Sequence, residues 1–68
     1  MTNVSKLLDT LRKRFDIKSD SALARELGMS APDISKMRSG MRLLSARTIL
    51  RIHERWHLPV KEIRDLAK

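Results

Sequence analysis

The sequence predicts an all-α fold, a compact five-helix domain, and three observations carry that expectation. Apolar residues recur three and four apart along the chain rather than in alternation. Ser19, Ser30 and Ser45 as potential caps, with Gly28, Gly40 and Pro59 as potential stops, divide the pattern into helix-sized segments. A composition with one Phe, no Tyr and 34% charged residues suits short helices better than a sandwich or barrel. No strands are expected.

The elements follow in order. Val4, Leu7, Leu8, Leu11 and Phe15 fall on one face of a first helix, with Lys6, Asp9, Arg12 and Lys13 elsewhere on the wheel. Asp16 to Lys18 reads as a polar connector, and Ser19, Asp20 or Ser21 can cap a second helix marked by Leu23, Ala24 and Leu27. Gly28 stops it, because the residue after a helix end commonly needs positive φ. Ser30 and Asp33 form a capping-box pattern, and Pro32 is tolerated in the first turn, so a third helix spans about Ala31 to Arg38 before Gly40. Its apolar edge is narrow, only Ile34 and Met37. Met41 to Leu44 is an apolar loop with one Arg. Ser45 caps a fourth helix whose inward side is Ile49, Leu50, Ile52, His53 and Trp56. Pro59 closes it, and Val60, Ile63, Leu66 and Ala67 predict a fifth helix beginning near Pro59.

A chain of 68 residues has room for one small domain, 1–68, and without cysteine it has neither a disulfide nor a thiolate metal site to brace it. A reduced, cytoplasmic setting is the plain expectation. Met1 to Phe15 is broken by Asp9 and four basic residues, unlike the apolar run of a signal peptide or membrane span. Fifteen Lys and Arg against eight Asp and Glu give a formal charge of +7, which calls for a polyanionic partner.

Leu23-Ala24, Leu27-Gly28, Ser30, Ile34, Met37 and Gly40 make a pattern that periodicity alone does not demand. Small Ala24 allows two helices to cross closely, Gly28 makes a tight turn, and Ile34 and Met37 seat the third helix on the second. Such a helix protrudes as a ridge that fits the major groove of B-DNA, about 12 Å wide, where base edges are distinguishable.

The run Ser19-Asp20-Ser21-Ala22-Leu23-Ala24-Arg25-Glu26-Leu27-Gly28-Met29-Ser30, followed by Ile34-Ser35 and Gly40, resembles the phage-repressor and Cro helix-turn-helix family, or lambda-repressor-like domains, with the helix-turn-helix at about residues 20–39. The resemblance extends to the five-helix order, so it covers nearly the whole chain, though its specific part is Ser19 to Gly40. It implies a transcriptional regulator that binds double-stranded DNA, repressor-like and usually a homodimer on a palindromic operator. By position, it implies base contacts at Ala31, Pro32, Ser35 and Lys36, and phosphate contacts at Ser30 and Ser39. Lys36 can donate to guanine O6 or N7, Ser35 can serve several bases, and Ala31 or Pro32 can offer apolar contact to a thymine methyl. Two positions depart from the family pattern. Asp20 stands where many members have Gln, and Arg38 where many have Glu. The first puts a phosphate contact in doubt; the second either adds a cation beside the groove or changes a surface salt bridge.

Residues 19–40 hold three acids and three bases, so the net positive charge lies in the flanks, +3 from 1–18, +3 from 41–58 and +1 from 59–68. In the architecture that the resemblance implies, the loop after the third helix and the start of the fourth flank the groove, which makes Arg42 and Arg47 the arginine candidates for phosphate. Asp33 reads as a cap rather than a base reader, and Lys36 as a base reader or a phosphate contact.

His53-Glu54-Arg55-Trp56-His57 matches the zinc-protease pattern H-E-x-x-H. No third His or Cys exists, and Pro59 ends the helix two residues on, so the sequence reading is a packing histidine and a helix-end histidine. No metal, cofactor, small-molecule substrate, membrane association or catalysis is expected. The competing expectation is a protein-interaction module, an antitoxin or accessory factor, that uses the apolar loop Met41, Leu43 and Leu44 as its contact.

Overall fold

Five helices and no strand make up residues 3–68, the part of the chain described by the computed structural model. They are α1 (Val4–Arg14), α2 (Asp20–Glu26), α3 (Ala31–Ser39), α4 (Ala46–Trp56) and α5 (Val60–Leu66). Each of the first four begins at a side-chain cap. Asn3, Ser19, Ser30 and Ser45 accept the backbone N–H three residues on, satisfying donors that a helix start leaves without a partner. At α3 the reciprocal half is also present, since Asp33 Oδ2 accepts the Ser30 N–H at 3.3 Å.

Both glycines end helices in the left-handed region, Gly28 at φ 66 and Gly40 at φ 84. In each case two crossed hydrogen bonds close the end. Met29 N–H donates to Ala24 O and Gly28 N–H to Arg25 O; Met41 N–H donates to Lys36 O and Gly40 N–H to Met37 O. This is the Schellman arrangement, which only a residue free of Cβ strain adopts readily. α4 also ends in the left-handed region, on His57 at φ 57 rather than on a glycine and with the single bond from His57 N–H to His53 O, and Pro59 is the N-terminal flank of α5 rather than its first residue.

The inward stripes meet in one core of Val4, Leu7, Leu8, Leu11, Leu23, Ala24, Leu27, Ile34, Met37, Ile52, Leu58, Ile63 and Ala67. α1 packs on α3 and α5, α2 on α3, and α4 on α5. The Asn3 N–H donates to Ala67 O, so the start of α1 is tied to the end of α5. Phe15 stacks on Trp56 with ring centroids 4.8 Å apart and planes 7° from parallel, joining the ends of α1 and α4. A radius of gyration of 10.6 Å agrees with the value of about 11 Å expected for one packed unit of this length.

The connector 16–18 is more than polar linkage. Ile17 packs against the core, and Arg12 donates to Ile17 O at 3.3 Å and Lys18 O at 2.7 Å while pairing with Asp20. Leu50 departs from the expected inward side of α4. It is 52% exposed, because the helix turns Ile49 and Ile52 inward and Leu50 lies beyond the edge of that stripe. Val60 is likewise exposed, whereas Ile63 and Ala67 are buried and Leu66 packs at the edge of the core. No described helix is long and apolar enough to cross a membrane.

Candidate nucleic-acid interface

α3 is bound to the body by one edge and open on the other. Ile34 and Met37 are buried, while Pro32, Ser35, Lys36 and Ser39 are exposed at the i, i+3, i+4, i+7 spacing of a single face. Three of the four proposed base readers therefore share one surface stripe. Ala31 lies at its margin, half-buried. Ser35 and Lys36 make no side-chain hydrogen bond to any described residue, which leaves their donors open to a ligand. Ser39 Oγ donates to Lys36 O at 3.0 Å and keeps its acceptor lone pairs, so a phosphate could be bonded only after that hydroxyl turns. Ser30 Oγ accepts Asp33 N–H, and its own proton is not used by that bond.

What aims this face is Arg38, which is only 20% exposed and does not stand beside the groove as a free cation. Its guanidinium forks onto Asp20, Nε to Oδ2 and Nη2 to Oδ1, both at 2.9 Å. Nη1 reaches across to α1, donating to Ser5 Oγ at 2.9 Å and pairing with Asp9 at 2.8 Å. One side chain thus pins the end of α3 to α1 and to the start of α2. Asp20 and Arg38, the two positions that depart from the family pattern, are each other's partners; neither departure was legible as half of a pair before the fold placed them together. The Arg38 hydrogen bonds hold the Asp20 carboxyl below its ordinary value of 3.8, against partial burial, and the charges of Arg38 and Arg12 add to the effect.

Beside α3 lies a cleft of about 400 Å³ lined by Gly28, Met29, Asp33, Arg42, Ser45, Arg47, Thr48 and Arg51. Arg42 and Arg47, the two arginines assigned to phosphate, both face it, but in different states. Arg47 is exposed and has no acidic partner among the described residues. Arg42 is paired, its Nη1 2.6 Å from Asp33 Oδ1. Arg51 is a structural residue. Its Nη1 donates to Leu27 O and Gly28 O, both at 3.0 Å, and so satisfies carbonyls at the α2 end and braces the turn into α3. Arg55 is engaged as well, with Nε 2.6 Å from Glu26 Oε2. The four-residue spacing of Arg47, Arg51 and Arg55 was visible in the sequence; that two of them fasten α4 to α2 was not.

No family model, curated protein or solved structure matches this chain.

The H-E-x-x-H residues do not converge. His57 leaves the helix in the left-handed conformation, and His53 Nδ1 sits 2.6 Å from Leu58 O, so the ring helps hold the chain reversal after α4. Among the described residues, no three His, Cys, Asp or Glu side chains are grouped to hold a metal ion.

Proposed function

We propose that this chain is a sequence-specific double-stranded DNA-binding protein, a repressor-like transcriptional regulator that seats α3 in the major groove. The observation that carries the reading is the pairing of two surfaces. A stripe of exposed side chains on α3, in which Ser35 and Lys36 are uncommitted, lies beside a cleft holding Arg47, which has no acidic partner among the described residues. The stripe supplies base contacts through Ser35 and Lys36 and apolar contact through Pro32, with Ala31 at the margin. Arg47, Ser30 and Ser39 supply phosphate contacts, which fix orientation without reading sequence. Arg42 joins them when its carboxylate partner releases it. The resemblance of Ser19 to Gly40 to the repressor and Cro family points the same way, and residence on DNA would place the protein at the nucleoid.

A homodimer completes the proposal. The apolar residues at the end of α5 close the core, so the surface left for a second copy lies nearer α4. It comprises Leu50 and a groove lined by Leu43, Leu44, Ala46, Ile49, Arg64 and Ala67. Two copies would read half-sites about one helical turn, 34–36 Å, apart. Selection from a pool of random duplexes tests the reading: a recovered palindrome supports it, and a pool with no enriched sequence rejects it.

One observation favours a second reading. Met41 and Leu43 are each 79% exposed, an uncovered apolar pair that a protein partner would bury, whereas Leu44, the third apolar residue of the expected contact loop, packs against the core. Under that reading the chain is a protein-interaction module, such as an antitoxin or accessory factor. Changing both residues to Ser would then abolish partner capture, and no duplex would be bound before or after the change.

A further inference from the structure

Arg42 reaches Asp33 from an anchored position. Its backbone N–H donates to Lys36 O at 3.2 Å at the end of α3, and its side chain runs back along the helix to Asp33 in the first turn. Asp33 has two tasks, one on each oxygen. Oδ2 accepts the Ser30 N–H and completes the cap, while Oδ1 meets Arg42. Ser30's hydrogen bonds, side chain before backbone, keep this carboxyl below its ordinary value, and the charges of Arg42 and Lys36 assist. The carboxylate is thus held in place by the cap whether or not Arg42 is present. It forms a fixed counter-charge at the mouth of the cleft that also holds Arg47 and Arg51.

We propose that Asp33 is a specificity-determining residue, a latch that withholds Arg42 from the phosphate backbone until α3 is seated. This rests on the DNA-binding reading of α3. In a loose encounter a phosphate lies several ångströms away across screening solvent, whereas Asp33 is in contact, so the arginine stays with the carboxylate. Close seating brings a phosphate into the cleft beside Arg47, where it competes for the guanidinium at contact distance. Arg42 therefore contributes to the seated complex and not to attachment at arbitrary sequence, which widens the ratio between the two.

The test uses Asp33→Asn, which keeps an oxygen for the Ser30 N–H and leaves the Ser30 cap on the Asp33 N–H untouched. Affinity for a random-sequence duplex is measured across salt concentrations, alongside the salt needed to elute each protein from immobilised heparin. Arg42→Ala and the double variant complete the cycle. The expected result is that Asp33→Asn binds random duplex more tightly, steepens the slope of log K against log salt by about 0.9, and elutes later from heparin. All three changes should vanish in the double variant. An unchanged slope and elution for Asp33→Asn overturns the latch. So does a gain that survives in the double variant, since that would be simple removal of a repelling charge. If the wild-type chain binds no duplex, the DNA-binding reading fails, and the specificity role fails with it; the heparin series still reports whether Asp33 holds Arg42 back from a polyanion.

Discussion

Arg38 shows most clearly how one residue converts sequence into site geometry. Its guanidinium spends every nitrogen on α1 and α2, so the roll of α3 is set by directed bonds as well as by the packing of Ile34 and Met37. Replacing it with Met keeps the aliphatic stem but leaves Asp20 without its fork. We expect a loss on the order of 2 kcal/mol, the scale of hydrogen bonds to charged groups at a partly exposed site, read by urea or thermal unfolding. If α3 reads bases as proposed, loss of its brace should also reduce discrimination between operator and random duplex by more than it reduces overall affinity. The residue was legible in the sequence only as a departure from a pattern. Its partners Asp20, Asp9 and Ser5 lie between 18 and 33 positions away, beyond the reach of any spacing argument.

At the scale of elements, caps and stops were the best-written features of the sequence. Ser19, Ser30, Ser45, Gly28 and Gly40 act where expected because caps and helix ends obey local rules, satisfied by partners no more than five residues away. The inward faces were less legible. Leu50 belongs by composition to the core and by geometry to the surface, since where a stripe ends depends on which helices lie opposite. The arginines of α4 were least legible, because surface arginines resemble one another until the neighbouring helix supplies an acceptor. On the proposed reading the exposed stripe of α3 divides labour with the start of α4, and two substitutions should separate the roles. Lys36→Ala should relax preference at one base position, a cost of about 1–3 kcal/mol for that base alone. Arg47→Ala should weaken all duplexes alike and reduce the salt slope by about 0.9. Fluorescence anisotropy on a set of single-base operator variants distinguishes the two patterns.

For the molecule as a whole, ion pairs reinforce helices that already pack together and add one link between helices that do not: Arg38 joins α3 to α1 and α2, Arg14 reaches Glu62 on α5 at 2.7 Å, and Arg55 ties α4 to Glu26 on α2. The consequence is a defined response to acid. Asp20 titrates below its ordinary value in the folded state, so its contribution is fully present above that value, 3.8, and disappears as pH falls through the lower folded value. Unfolding midpoints followed from about pH 5 down to about pH 2 should therefore drop, and Asp20→Asn should flatten part of the drop while starting from lower stability. On the proposed DNA-binding reading, the net charge of +7 acts at this scale too, drawing the domain to any polyanion, while the neutral segment 19–40 is left to discriminate. The most direct test of that division is a competition titration of the wild-type protein against a selected operator and random duplex at one moderate salt concentration. A preference for the operator of about a thousandfold or more, collapsing when Ser35 and Lys36 are both changed to Ala, is the result expected. Equal affinity for the two duplexes would contradict sequence reading by α3.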